Sequence, residues 1–317
     1  MEKSMQEIIP YIGFLFAAYA IVANDSIQTL GTFISSNSKR PWWHLWAFTG
    51  SILAIVLLVG WISGNGDVSY GRLSKIPEVT ITWVYLIPPI ALLILTRFGF
   101  PVSTTFLVLT FFAPKALDKM VVKSLLGYGV AFIASFAFVY WVTHKLEKKF
   151  LKNKIKEKNR PYWITMQALS TGFLWSQWLM HDLANIFVYL PRKLDFAHFI
   201  LALLLMLGLQ AVVFATRGGK IQRIVHNKTN TSEIRTATFI DFIYALVLFI
   251  FKELSQIPMS TTWVFLGVLA GREIALTLKL RHESMATATK YIGTDMGKAA
   301  IGLIVSVALA LGIPALG

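Results

Sequence analysis

Long apolar runs dominate this chain, and short polar words interrupt them. In the first half the runs cover 8–23, 41–62, 79–96, 101–113 and 121–143. In the second they cover 163–190, 196–215, 236–251, 258–271 and 298–316. A helix of about 18 or more such residues crosses roughly 30 Å of hydrocarbon. The short alternating strands of a membrane barrel are missing from the pattern. It predicts an all-α integral membrane protein in a lipid bilayer. The first run breaks at Asn24-Asp25-Ser26 and resumes over 27–34. Glu2 and Glu7 oppose Lys3, so 8–24 reads as a retained span and not as a signal peptide. Pro88-Pro89 predicts a break or kink in 79–96. The run Trp163–Leu190 is expected to break around His181-Asp182. Residues 272–295 are amphipathic and read as a segment at the interface or between spans. Trp42, Trp43 and Trp46 open the second run, where tryptophan anchors a span end.

The interruptions are not random. Pro101-Val102-Ser103-Thr104-Thr105 returns as Pro258-Met259-Ser260-Thr261-Thr262. Ala23-Asn24-Asp25 is matched by Met180-His181-Asp182. Asp25 precedes Pro101 by 76 residues, and Asp182 precedes Pro258 by the same 76. The copies are offset by 157 residues in a chain of 317. That regularity predicts an internal duplication, with a transport site between the repeats. Repeat one is 1–143, the linker 144–160, and repeat two 161–317. Five crossings per half would invert the second repeat. Re-entrant or broken helices raise the expected count to about 10–12 membrane segments.

Charge sharpens the topology. The net charge is +14, yet charged residues are only 15% of the chain. The basic residues gather in short connections, chiefly 144–160 and 216–235. This is the positive-inside pattern, not a nucleic-acid surface. It places the linker 144–160 in the cytoplasm and the termini outside, in a plasma or inner membrane. Loop 63–78 is polar with balanced charges (Asp67, Arg72, Lys75, Glu78). There is no cysteine, which excludes thiolate metal sites.

The paired words carry the candidate chemistry. Proline before Ser-Thr-Thr marks a helix's first turn. Hydroxyls there lie beside free backbone N–H groups at the positive end of the helix dipole, a site for an anion. The candidate substrate residues are therefore Ser103, Thr104, Thr105, Ser260, Thr261 and Thr262. A carboxylate at mid-membrane costs roughly 2.5–3.5 kcal/mol. Asp25 and Asp182 are expected to offset that cost by binding sodium or by accepting the proton of a monohydrogen anion. His181 titrates near neutrality when unperturbed and is a second candidate for a coupling proton. Asp241 has no counterpart, since Val84 stands at the equivalent position. It is expected to pair structurally or to sit near a span end. Nothing resembles a metal-spaced histidine cluster, a nucleophile elbow or a phosphate-cradling glycine loop, so an enzyme is not expected.

These words closely resemble those of the inorganic phosphate transporter family, sodium- or proton-coupled carriers with two inverted repeats. Ala23-Asn24-Asp25-Ser26-Ile27-Gln28 followed by Gly31-Thr32 looks like that family's first motif. His181-Asp182-Leu183-Ala184-Asn185 looks like its second. Gly271-Arg272-Glu273 and Gly297–Gly302 look like its last segment. The resemblance implies that the six Ser and Thr hydroxyls cradle phosphate. It implies that Asn24, Asp25, Gln28, His181, Asp182 and Asn185 serve the anion or the coupling ion. It implies no resident cofactor, and a homodimer is consistent with it. Gln28, His181, Phe106 and Trp263 depart from the family pattern, which leaves a sulfate carrier on the same scaffold as the alternative. A passive anion channel would have no use for the paired acidic words.

Overall fold

The computed structural model describes residues 2–98, 100–153, 155–217, 233–254, 258–280 and 284–312. Among these every regular element is helical. The helices are α1 (Glu2–Ser36), α2 (Trp42–Ser63), α3 (Ile87–Arg97) and the short α4, a π-turn at Thr105–Leu109 running into Thr110–Phe112. They continue with α5 (Leu117–Ala137), α6 (His144–Lys152), α7 (Arg160–Phe187) and α8 (Phe196–Ala215). The last three are α9 (Ile234–Leu254), α10 (Thr261–Leu280) and α11 (Met285–Gly312). Six described stretches are long and apolar enough to cross a membrane: Glu7–Asp25, Trp42–Ser63, Pro114–Leu146, Phe196–Ala215, Ile234–Phe251 and Met285–Gly312.

Several expectations need correction. α1 runs unbroken through Asn24-Asp25, and α7 runs unbroken through His181-Asp182. Polar side chains do not by themselves interrupt a helix, and neither stretch holds the proline that would. Residues 79–86 are extended or 3-10 turns, not helix, and Pro88 and Pro89 begin α3 instead of kinking it. At a first turn proline loses no hydrogen bond. Residues 272–280 continue α10 with Arg272 buried, and α11 starts at Met285, so 272–295 is not one interfacial segment. Most of the basic loop 216–235, and the end of the last run, lie outside the described residues.

The outer faces are apolar because the surrounding solvent is hydrocarbon. Ile55, Ile62, Ile133, Leu201, Leu204 and Ile304 all point outward. With oil on both sides, packing and polar links must hold helices together. α2 is pinned to its neighbours by indoles: Trp46 Nε1 donates to the Leu207 carbonyl (3.0 Å) and Trp175 Nε1 to that of Thr49 (2.9 Å). Asp195 caps α8 by accepting from the His198 amide, and the bonds from His198 hold its carboxyl below the ordinary range. α5 and α10 make the closest approach, because Gly267 and Gly271 present bare backbone to α5. A Cβ on Gly267 would strike the Tyr128 carbonyl, and one on Gly271 that of Phe132. Small residues four apart are a membrane helix-contact signature.

Candidate functional site

The four words meet in one place. All twelve candidate residues are buried: Asn24, Asp25, Gln28, Ser103, Thr104, Thr105, His181, Asp182, Asn185, Ser260, Thr261 and Thr262. α1 and α7 carry the acidic words at the same turn of two long helices. The two hydroxyl words lie at the starts of α4 and α10. Neither position could be satisfied alone, because a buried polar group without a partner costs about 1–3 kcal/mol.

The hydroxyl words show their duplication in detail. The Phe106 amide donates to Ser103 Oγ at 3.2 Å, and the Trp263 amide donates to Ser260 Oγ at 3.2 Å. Each serine thus caps its helix. The next link is an exchange. Thr105 Oγ1 donates to the Met259 carbonyl (3.1 Å), and Thr262 Oγ1 donates to the Val102 carbonyl (3.3 Å). Each word reaches into the other's extended lead-in. The rings that follow, Phe106 and Trp263, meet edge-to-face with centroids 5.8 Å apart.

The acidic words bind this frame together. Asn24 Nδ2 donates to Asp25 Oδ1 (2.6 Å) and to the Val102 carbonyl (2.9 Å). Thr104 Oγ1 donates to Asp25 Oδ2 at 2.6 Å. Gln28 Nε2 donates to Asn24 Oδ1 at 3.2 Å. On the other side, Asn185 Nδ2 lies within bonding distance of Asp182 Oδ1 (2.7 Å), Thr104 Oγ1 (2.9 Å) and Thr105 Oγ1 (3.3 Å). His181 faces away from the carboxylates' shared space, with Nε2 donating to the Leu248 carbonyl of α9 at 2.8 Å.

Three buried oxygens of this cluster have no hydrogen-bond partner: Asp182 Oδ2, Asn185 Oδ1 and Gln28 Oε1. All three are acceptors. Oxygen acceptors that lack donors are what a hard cation takes as ligands.

Of the two alternatives for Asp241, the structure shows the structural pairing. It accepts from Thr32 Oγ1 on α1 (2.6 Å) and from Thr171 Oγ1 on α7 (2.5 Å), deep inside the fold. It is not near a helix end. The sequence also gave no hint of three supports. Ser124 Oγ accepts from the Ser260 amide (2.8 Å), the Tyr244 hydroxyl donates to the Thr261 carbonyl (2.9 Å), and Arg72 reaches α7 from loop 63–78. Their partners lie 136, 17 and 108 residues away, beyond any local pattern.

Fold and site together define an all-helical integral membrane protein built around one buried, oxygen-rich polar centre. Its fold matches a solved structure titled "The sodium-dependent phosphate transporter", with a TM-score of 0.66 and 18% sequence identity. The match covers 98% of this chain and 99% of that one. No family model matches the sequence, and no curated protein matches it.

Proposed function

We propose that this protein is a secondary active transporter that imports inorganic phosphate, coupled to a sodium or proton gradient. It works by alternating access about a midplane site between two inverted repeats, residues 1–143 and 161–317. With α7, α10 and the shorter α3 and α4 added to the six apolar stretches, the membrane segments come to about 10–12. The linker 144–160 lies in the cytoplasm and the termini outside, in a plasma or inner membrane. The chain is not an enzyme and needs no resident cofactor.

One observation carries this reading: four words far apart in sequence close into a single buried network. The network offers hydroxyl donors and open oxygen acceptors side by side. Ser103, Thr104, Thr105, Ser260, Thr261 and Thr262 would cradle the oxyanion. Asp25 or Asp182 would accept the hydroxyl of monohydrogen phosphate, which sulfate lacks. A site that bonds a substrate hydroxyl rejects analogues without one. Asp182, Asn185 and Gln28, with Asn24 and Asp25, would hold the coupling ion. The donor-free oxygens favour sodium over a proton as that ion. His181 is occupied by its bond to the Leu248 carbonyl. The likeness to the solved sodium-dependent phosphate transporter supports the same reading.

Uptake of radiolabelled phosphate into proteoliposomes tests it. Uptake is expected to be concentrative only with an inward sodium gradient, and to resist excess unlabelled sulfate. Uptake blocked by sulfate would transfer the assignment to sulfate. Equal accumulation without any ion gradient would end it in favour of a channel.

A further inference from the structure

Loop 63–78 was legible only as a connection with balanced charges. In the fold it delivers a cation into the protein. Tyr70 and Gly71 both take left-handed backbone conformations (φ 55° and 77°), and these turn the chain inward at Arg72. Asp67 locks the turn, accepting from the Ser69 amide (2.7 Å) and the Gly71 amide (3.1 Å). Its carboxylate is thereby committed to its own loop and does not neutralise Arg72. Only 1% of Arg72 is exposed. Its Nε donates to the Met180 carbonyl at 2.8 Å, two residues before Asp182. Both terminal nitrogens are buried and have no hydrogen-bond partner.

That is a costly arrangement without a ligand. A buried ionised group ordinarily has a partner, and a guanidinium carries five donors in a planar fork. Its fork matches two oxygens of a tetrahedral oxyanion. Its charged surroundings are mixed. Lys123, buried on α5, lies within electrostatic range of Arg72, and so does Asp182. Lys123 adjoins Ser124, whose hydroxyl holds the Ser260 amide. Arg72 thus reaches α7 two residues before Asp182 and also lines a cavity of ≈ 460 Å³, together with Gly60, Ser63, Asp67, Tyr70 and Glu253 among others. It is the one cation among the described lining residues of that cavity. Neither cation is duplicated: Thr229 and Leu280 stand at the equivalent positions in the second half.

We propose that Arg72 is an anion-binding residue on the path between this cavity and Asp182, present on one face of the protein only. Its terminal nitrogens take two oxygens of the phosphate, and the Met180 link holds the fork beside the hydroxyl cradle. The proposal rests on the phosphate-transport reading above.

The test compares wild type with Arg72→Gln and Arg72→Lys in two assays. One is phosphate uptake into proteoliposomes; the other is thermal stabilisation of detergent-solubilised protein by inorganic phosphate against chloride. Arg72→Gln is expected to raise KM for phosphate about 10–100-fold, the loss of one or two charge-assisted bonds, with Vmax changed less than about twofold. It should also lose the stabilisation by phosphate. Arg72→Lys keeps a donor for Met180 but not the fork, and should fall between. A folded Arg72→Gln with unchanged KM, or with only Vmax reduced, overturns the proposal and leaves the transport reading intact. If Arg72→Gln does not fold, an unchanged KM in Arg72→Lys overturns it equally. Wild type that neither takes up phosphate nor is stabilised by it defeats both. Wild type stabilised by phosphate but not transporting it defeats the transport reading alone, and the binding assay still decides Arg72.

Discussion

The half-site at Asp25 and the half-site at Asp182 hold nearly the same words, yet they are finished differently. At Asp25 both carboxylate oxygens are taken, Oδ1 by Asn24 and Oδ2 by Thr104. At Asp182, Oδ1 accepts from Asn185, the hydroxyls of Thr105 and Thr261 face the carboxylate, and Oδ2 has no hydrogen-bond partner among the described residues. The difference follows from two substitutions between the copies. Asn24 becomes His181, whose ring turns to the α9 backbone and leaves Asp182 without a neighbouring amide donor. Gln28 becomes Asn185, whose shorter side chain bridges to the first hydroxyl word. One half-site is therefore closed on itself, and the other retains an open oxygen. The two hydroxyl words share their framework bonds, and a few side chains finish the two half-sites differently.

Substitutions can break or sharpen this contrast. The largest effect is expected at the carboxylates. Asp25→Asn and Asp182→Asn should each abolish concentrative phosphate uptake, roughly 100-fold or more, since unpairing a buried charged network costs about 3–5 kcal/mol. They should differ in stability. Asp25→Asn replaces one of two engaged acceptor oxygens with an NH2 that faces a donor and should lower the melting temperature in detergent, while Asp182→Asn should leave it nearly unchanged. If both mutants still concentrate phosphate, neither aspartate serves the cargo.

A smaller and more discriminating pair is Asn185→Ala against Gln28→Ala. Asn185 Nδ2 reaches three oxygens and Gln28 Nε2 reaches one. Asn185→Ala is expected to cost about 1–3 kcal/mol, seen as a roughly tenfold or greater loss of uptake or of sodium affinity. Gln28→Ala should lose less. The reverse order in a sodium titration of uptake would show that the closed half-site carries the ion.

The smallest effects belong to the exchange between hydroxyl words. Thr105→Val and Thr262→Val each delete one neutral bond to a backbone carbonyl, worth about 0.5–1.5 kcal/mol. Thr105→Val should be the worse, because Asn185 and Asp182 also lie against its hydroxyl. Equal melting temperatures would mean that only the shared carbonyl links matter.

Much of this site could be read without coordinates. The matched words and the family resemblance together pointed to twelve residues, and the fold buries all twelve. What escaped was everything set by partners distant in the chain. Asn24-Asp25 looked like a helix break because two polar residues in oil seem to need water. Val102 and Thr104, 78 and 79 residues on, satisfy them instead, and the helix continues. The partners of Asp241 were not legible because Thr32 and Thr171 lie 209 and 70 residues away. Arg72 looked balanced because Asp67 and Glu78 flank it, but Asp67 spends its oxygens on backbone amides. Gly267 and Gly271 carried a usable signal that went unread, the four-residue spacing of small residues.

That glycine pair sets a condition on any motion. α5 descends from the first half and α10 from the second, and carbonyls of one rest directly on bare backbone of the other at Tyr128 and Phe132. No side chain is interposed to act as a bearing, so the two cannot slide past each other without losing contact along the whole seam. Helices from opposite halves must then travel as a single rigid strut. Hinges have to be sought at its ends, not along its length.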